Sequence, residues 1–435
     1  MFRKNINWNI CCLFFIFPAL MLGQELTLED CIEIALKKNP SLHRNELQYK
    51  RARIEKQEAW HNLLPGIEGG IGHSWNQGKS IDPTTNQFIE QTISSGNASL
   101  STGMYIFNGF KAFHDIRKKA AVEMSVQLEY DAEKEKLILD VIEAYITVLT
   151  TDDLLLQAKK QFVLTEEQFV LTENLHEEGN IDPGDYYDIK GEYNENKNAV
   201  LIAKQNLYHS RARLANLLSL SEEELPQLQN FPILIDNITT TPSEIFEAAK
   251  QRSSFALWDW KIEEAKQNIK VARSAYYPSL SVSAGMNTRY SNSNELNFWE
   301  QNKNNLGKYV SLNLHLSIFN GFQIRNSIKK AKIDLEDIQW QKEISENNLR
   351  ESTFKAVFDL KTAQESLENI QEQEVNYRES YRIAQVKFEL GTSNSVVYLS
   401  AKNKWEDSKN QLVIKQYEWV LQKFINNYYL GILNF

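Results

Sequence analysis

The sequence predicts a mostly α-helical chain that also carries a membrane β part of four strands. Two stretches of 68 residues, 111–178 and 323–390, contain neither glycine nor proline, which is typical of very long helices. Four other segments alternate apolar and polar residues, the pattern of a strand with different surroundings on its two faces. Each is about long enough to cross a bilayer when tilted. The predicted class is a long α-helical coiled-coil barrel with four β-strands per chain.

The strand pattern is clearest after Pro278. Apolar residues occupy most even positions from Leu280 to Tyr290, and the alternation returns over 310–318. Two corresponding segments occur earlier, a weak one after Pro65 and a clear one at 97–106. We expect the polar positions of the last two strands to face the water-filled lumen of a barrel. These predicted lumen-facing residues are Ser281, Ser283, Asn287, Arg289, Asn313 and His315.

Residues 1–23 have the pattern of a secretory signal peptide. Arg3 and Lys4 precede an apolar core that is too short to span a membrane. No later stretch approaches 18 consecutive apolar residues, so the sequence predicts no transmembrane helix. The formal net charge is −9 and no basic block is present, which argues against nucleic acid as a partner.

The chain contains two copies of one structural unit. The segment 106–110, Ile-Phe-Asn-Gly-Phe, returns at 318–322, and Gly179 corresponds to Gly391 at the same offset of 212. Leu-Leu-Pro ending at 65 matches Tyr-Tyr-Pro ending at 278 at an offset of 213. Repeated landmarks at nearly the same offset indicate a duplication. The predicted segments are a first structural repeat at 24–220, a linker or equatorial region at 221–242, and a second structural repeat at 243–435.

Each repeat is expected to contain a helix, two strands, a long helix and a return helix. Thr27 has the character of an N-cap for a first helix that runs to Trp60 and is loosened at Asn39-Pro40. Each long helix should end at its glycine, Gly179 or Gly391. The predicted return helices, 186–220 and 396–430, complete two αα-hairpins.

The long helices carry narrow apolar rows at heptad spacing. One row contains Val141, Val148 and Leu155, and a second row beside it begins at Ile142 and Leu149. A narrow row on so long a helix packs against neighbouring helices rather than into one globular core. The sequence therefore predicts a coiled-coil arrangement.

Four strands cannot stand alone in lipid, because an open sheet leaves two edges of unpaired backbone groups. Closure needs at least about eight strands. A dimer would supply eight, which enclose little more than side chains, whereas a trimer would supply twelve and leave an aqueous lumen. The polar inner positions favour the trimer, although closure alone leaves other copy numbers open.

The order of these features resembles the TolC-type outer-membrane efflux family, also called outer membrane factors. The likeness rests on the helix-to-strand junctions at Pro65 and Pro278, the Phe-Asn-Gly-Phe corners at 107–110 and 319–322, and the repeat spacing. It covers essentially the whole chain after the signal peptide. The resemblance implies a homotrimer with a 12-stranded barrel in outer-membrane lipid and a periplasmic α-barrel. Such channels export drugs, metals or proteins with an inner-membrane efflux transporter and a periplasmic adaptor protein.

The resemblance also implies site residues at the hairpin ends. The family often has aspartates six and nine residues after the tip glycine; Asp185 and Asp188 occupy these positions after Gly179, whereas Val397 and Ser400 follow Gly391. We therefore expect a periplasmic entrance or gate in the first repeat only, or else ordinary solvated acids at a helix start. The predicted entrance residues are Asp182, Asp185 and Asp188. The predicted adaptor-contact residues are Gly179, Asn180, Gly391, Thr392 and Ser393.

No pattern in the sequence indicates catalysis. The seven histidines have no metal-ligand spacing, and neither a nucleophile elbow nor a Walker loop is present. We therefore predict a passive channel that is not an enzyme and needs no cofactor or metal. The main alternative is an elongated periplasmic coiled-coil scaffold, which explains the helices but not the four alternating strands. A periplasmic adaptor is a second alternative, although its small β-domain pattern is missing.

Overall fold

The computed structural model describes residues 25–81, 86–90, 92–231 and 240–433. The predicted signal peptide and residues 232–239 of the predicted linker lie outside this part of the chain. The chain divides into two compact units, and each unit draws segments from both predicted repeats. One unit contains the strands, and the other contains the ends of the helical hairpins.

The described residues form nine α-helices, two of which are the predicted long ones. These are α3, Lys111–Glu177, and α8, Gln323–Glu389, and each ends one residue before its predicted limit. The return helices are α4, Pro183–Leu218, and α9, Ser395–Leu430. The remaining helices are α1 (Leu28–Lys38), α2 (Pro40–His61), α5 (Pro242–Ala249), α6 (Ser253–Ser274) and α7 (Phe298–Asn304).

Among the described residues, no α-helix combines the length and the apolar character that crossing a membrane requires.

The predicted first helix is two separate helices, α1 and α2. Asn39 between them has an extended backbone, with φ −66° and ψ 121°, because a residue that precedes proline disfavours helical angles. Its side chain donates a hydrogen bond to the carbonyl oxygen of Leu217 at 3.1 Å. The Asn39-Pro40 sequence therefore ends one helix rather than loosening it. At the N-terminal end, Thr27 caps α1 as predicted, with Asp30 returning the hydrogen bond.

Four strands form one antiparallel sheet in the order β1-β4-β5-β6. They are β1 (Gly66–Asn76), β4 (Ile93–Asn108), β5 (Ser279–Ser291) and β6 (Gly307–His315). Two short strands, β2 (Lys79–Ile81) and β3 (Phe88–Glu90), pair as a separate ribbon between β1 and β4 in the chain. The four predicted strands therefore exist and pair with one another.

The sequence pattern placed the last strand three residues too far toward the C-terminus. The alternation predicts a strand over 310–318, whereas β6 covers Gly307–His315. His315 pairs with Ser279, the first residue of β5. The preceding Pro278 has no N–H to donate, so the ladder ends there even though apolar residues continue to alternate beyond it.

Helix α7 lies between β5 and β6, where the sequence pattern predicted no helix. Asn297 caps this helix by accepting a hydrogen bond from the Glu300 backbone N–H at 2.9 Å, and the Glu300 side chain reaches back to the Asn297 N–H. This capping box was readable in the sequence. The side chain of Gln301 in α7 is fully buried. Its amide oxygen accepts a hydrogen bond from the Ser291 N–H, and its amide nitrogen donates one to the Ser291 carbonyl oxygen, which fixes the end of β5.

In the unit that contains the hairpin ends, the predicted heptad rows of α3 are buried over only part of their length. Val141, Val148 and Leu155 are buried, as are Ile142 and Leu149 in the second row. Farther along α3 the members of the second row are about half exposed in the single chain. These residues are Leu156, Val163 and Val170. Polar residues of the same helix, including Thr165, are buried in this region instead.

Candidate functional site

The six predicted lumen-facing residues share one face of the sheet. In β5 and β6, Ser281 lies opposite Asn313 and Ser279 lies opposite His315. Residues directly opposite in an antiparallel pair have side chains on the same face. The remaining predicted residues of β5 are Ser283, Asn287 and Arg289. They follow Ser281 at even intervals, so they belong to this same face, called here the polar face.

The other face of the sheet, the apolar face, is exposed in the single chain. Val282 lies opposite Leu312, and Leu280 lies opposite Leu314. Leu314 is 72 % exposed, and Ile71 on β1 is 91 % exposed. A contiguous exposed apolar surface of this kind requires a covering, which lipid or another protein supplies. The sheet therefore separates a polar side from an apolar side along its whole length.

The polar face continues onto the helices that follow the strands. A hollow of about 1070 Å³ lies where the strands meet α3, α6 and α8. It is lined by polar groups that include Tyr105, Asn108, Lys111 and His315. A solute that moves along the polar face would therefore meet hydrophilic side chains at the strand ends as well.

The two Phe-Asn-Gly-Phe corners have the same geometry. Gly109 and Phe110 both have positive φ, 66° and 65°, and Gly321 and Phe322 repeat this with 61° and 65°. In each corner the two phenylalanine rings meet edge to face, with Phe107 5.1 Å from Phe110 between ring centroids. Two consecutive left-handed residues turn the chain sharply from strand to helix.

The hairpin ends also repeat one another. Gly179 and Gly391 have φ of 74° and 68°. The backbone N–H of Asn180 donates to the Leu175 carbonyl at 2.8 Å, and that of Thr392 donates to the Lys387 carbonyl at 2.9 Å. This is the Schellman ending of a helix at glycine. Four of the predicted contact residues are exposed, and Ser393 is half-buried.

The three predicted entrance acids lie at the start of α4, where each has a partner. Asp182 is the N-cap and accepts a hydrogen bond from the Gly184 N–H at 2.7 Å. Asp185 accepts a hydrogen bond from the Ser395 N–H at 2.8 Å, and Asp188 accepts one from the Ser395 hydroxyl at 2.7 Å. The acids of the first hairpin therefore hold the first residue of α9. Sequence reasoning missed Ser395, because nothing local indicates a partner 207–210 residues away.

A buried charged cluster lies about eleven residues beyond the second tip. Lys402 is 3 % exposed and donates to Thr165 Oγ1 at 2.6 Å and Glu192 Oε1 at 3.1 Å. Asn196 donates to the same two acceptors. Glu406 is 3.8 Å from Lys402, and burial raises the pKa of its carboxyl to about 7, while Lys402 acts to lower it. The cluster links α3, α4 and α9.

Sequence reasoning missed this cluster, although one signal was present. Lys402 and Glu406 stand four residues apart on α9, next to the buried Tyr398. Charged residues at heptad positions that are usually apolar indicate either that this face of the helix is exposed or that the charges form a buried pair. Only the packing of three helices decides between these possibilities. Within the described part of the chain, no group of His, Cys, Asp or Glu residues could hold a metal ion.

Solved structures show which class of protein has this fold. The Campylobacter jejuni CmeC outer membrane channel aligns with a TM-score of 0.82 at 18 % identity, covering 93 % of this chain and 85 % of the other. A membrane protein from Pseudomonas aeruginosa aligns with a TM-score of 0.81 at 16 % identity, covering 93 % and 90 %. The mostly helical chain with four antiparallel strands is thus the fold of outer-membrane channel proteins, and the predicted fold class is confirmed.

The family follows from the sequence. The model of the outer membrane efflux protein family matches residues 31–219 and 245–423, and the chain belongs to this family. It is 21 % identical over 417 residues to the outer membrane protein TolC of Salmonella enteritidis, which covers 95 % of this chain and 83 % of the relative. The chain is thus an outer-membrane efflux channel with its helical part in the periplasm. Its family and structural neighbours are channels rather than enzymes, and they favour the channel over the scaffold and adaptor alternatives.

Proposed function

We propose that three copies of this chain close one barrel and conduct substrates passively across the outer membrane. The observation that carries this proposal is the open sheet. β1 and β6 are its edges and have no further strand partner among the described residues. Each unpaired backbone group in lipid costs several kcal/mol, so the edges require partners.

The direction of the edge strands supports a ring of copies. The three pairings in the order β1-β4-β5-β6 are all antiparallel, so β1 and β6 run in opposite directions. The β6 strand of one copy therefore continues the antiparallel pattern when it meets β1 of the next. Three copies of four strands give twelve, with the polar face toward an aqueous lumen and the apolar face toward lipid.

The native mass of the detergent-extracted protein tests this closure. We expect a trimer that dissociates on heating into single chains. Cysteine pairs scanned along β1 and β6 should form disulfides only between chains. A soluble monomer or dimer, or disulfides within one chain, would contradict the closed trimer.

We further propose that the channel is the outer-membrane part of a tripartite system, with a periplasmic adaptor and an inner-membrane transporter. The hairpin ends are our candidates for the adaptor contact. Beside the exposed tip glycines, Leu390 is 72 % and Val396 is 64 % exposed, so the second tip offers apolar side chains to a partner. A photo-crosslinker or cysteine at Thr392 should capture a co-expressed adaptor. Crosslinks at the strand end of the molecule alone would overturn the assignment.

We also propose that Asp182, Asp185 and Asp188 line the periplasmic entrance as three symmetry-related sets of carboxylates, which favour cations. The bonds of two of these acids to Ser395 call for a control that separates charge from structure. Asp185→Asn should lower cation preference and cation block in planar bilayers. Ser395→Ala removes the hydroxyl partner of Asp188 but keeps every carboxylate, so its cation preference should stay at the wild-type value. Equal effects of both variants would assign these acids to holding the hairpins together.

A further inference from the structure

The two helices that follow the membrane strands begin with an excess of positive charge. The first ten residues of α3 contain four basic residues and one acid, and those of α8 contain four basic residues and no acid. This is unexpected for two reasons, because the chain as a whole is acidic and because a helix N-terminus disfavours cations. The basic residues of α3 are Lys111, Arg117, Lys118 and Lys119. Those of α8 are Arg325, Lys329, Lys330 and Lys332.

An apolar groove of about 280 Å³ lies beside the start of α3. Trp60 and Leu63 form one wall at the end of α2, and Phe113 and Ile116 form the other. Arg117 closes the groove with its guanidinium 4.2 Å above the centre of the Phe113 ring. Within the described residues Arg117 makes no ion pair, whereas its neighbours Lys118 and Lys119 are paired with carboxylates.

The groove lies on the side of α3 that continues the apolar face of the sheet. Lys111 and Asp115 line the polar hollow at the strand ends. At 100° per residue, Phe113 and Arg117 point to the opposite side of the helix, and Ile116 lies between them and Ala112, which is at the margin of the hollow. The same division holds in α2, where Ala59 lines the hollow and the groove residues do not. The groove therefore faces outward, as the lipid-facing strand surface does.

The depth of the groove matches the headgroup layer of a membrane. Arg117 lies six residues after Lys111, the first residue of α3, so its Cα is about 9 Å along the helix. The polar layer on each side of a bilayer is roughly 5–8 Å thick, which is half the difference between the total and hydrocarbon thicknesses. Counted from a hydrocarbon boundary at Lys111, the Arg117 Cα lies just beyond this layer. Its side chain points back toward the helix N-terminus, as side chains on a helix do, and so ends at headgroup level, while Phe113 lies closer to the hydrocarbon.

We infer that this groove binds a phospholipid, with one acyl chain against Trp60, Leu63 and Phe113 and the phosphate on Arg117. The continuity of the groove with the apolar face favours a lipid over a free anion, and the unpaired guanidinium favours a phosphate over a purely apolar occupant. The groove lies between α2 and α3, whose neighbouring strands β1 and β4 pair within one chain, and this disfavours a second copy as its occupant. The inference rests on the proposed insertion of the strands in lipid, and not on the adaptor or the transporter.

Lipid titration followed by native mass spectrometry tests this site. The delipidated protein in detergent is titrated with phosphatidylglycerol, and Arg117→Gln is compared with Arg44→Gln. Arg44 is an exposed arginine near the start of α2, at the end of that helix remote from the groove. We expect Arg117→Gln to weaken binding about fivefold, which corresponds to about 1 kcal/mol for one basic residue at a membrane surface, and Arg44→Gln to change nothing. Trp60→Ala should weaken lipid binding without changing the oligomeric state seen in the native mass spectrum.

The outcomes separate the possible occupants. Equal binding by Arg117→Gln and the wild type overturns the inference. Inorganic phosphate that displaces the lipid at matching concentration would identify a free-anion site and also overturn it. If Trp60→Ala weakens the oligomer but leaves lipid binding intact, the groove is covered by a second copy instead. Channel conductance of the same preparations reports on the proposed function separately, so a conducting protein without this lipid site refutes only the inference.

Discussion

Replacing Lys402 by methionine should strongly destabilise the unit that contains the hairpin ends. The lysine is 3 % exposed, and its ammonium bonds Thr165 and Glu192 and lies near Glu406. Methionine has a similar length, so the change removes the charge and leaves the packing nearly intact. Two buried carboxyls then lose their cation. Breaking a buried pair in this way costs about 3–5 kcal/mol.

The assay is denaturant unfolding of the detergent-solubilised protein, followed by helical circular dichroism. The matched control is Lys361→Met, because that lysine also pairs with a glutamate on its own helix but is 70 % exposed. An exposed pair contributes at most about 1 kcal/mol, so the control should stay close to the wild type. Equal midpoints for the two variants would refute a stabilising role for the buried cluster.

The same cluster should make stability depend on pH. The pKa of Glu406 is raised by burial from 4.5 to about 7, so the folded chain holds this proton where the unfolded chain has lost it. Stability from this group is therefore fully present below pH 4.5 and is lost as pH rises toward and through 7, by about 3 kcal/mol at 1.36 kcal/mol per pH unit. Glu406→Gln should flatten the stability profile between pH 5 and 8. The control is Glu418→Gln, whose side chain is 40 % exposed, and an unchanged slope in Glu406→Gln would contradict the assignment.

Two further predictions concern the strand corner and the N-terminal attachment. Gly109→Ala should destabilise the protein clearly more than Gly321→Ala. Both glycines have positive φ, and placing alanine in that backbone conformation costs about 1–2 kcal/mol at either position. Only at position 109 would the added Cβ also clash, because it would lie 2.4 Å from the Ser274 carbonyl oxygen. Equal shifts of the thermal midpoint would show that the clash is relieved at no cost. Tyr145→Phe should lower stability by about 1–3 kcal/mol, because its buried hydroxyl donates to the carbonyl oxygens of Gln229, at 2.5 Å, and Leu26, at 3.0 Å. A free energy of unfolding within about 0.5 kcal/mol of the wild-type value would contradict this.

The periodic features of the chain could be predicted from the sequence, because they depend on local spacing. The absence of glycine and proline over 111–178 predicted α3 to within one residue, and Gly179 predicted its end. The period of two predicted which residues of β5 share a face, since strand geometry alternates side chains without reference to the rest of the fold. The repeat offset predicted that the two corners and the two tips would have matching geometry, as the φ angles of Gly109 and Gly321 show.

Features that depend on residues far apart in the chain were decided only by the tertiary structure. The end of β6 is set by Pro278, which directly precedes the neighbouring strand β5, so the alternation near Ile318 could not reveal it. The partner of Asp185 and Asp188 is Ser395, about 210 residues away. Local spacing determines helices, strands and their faces, whereas the pairing of polar groups depends on which helices pack together. For that reason the sequence alone determined the class of this protein, and only the packed chain placed its buried charges and its outward-facing groove.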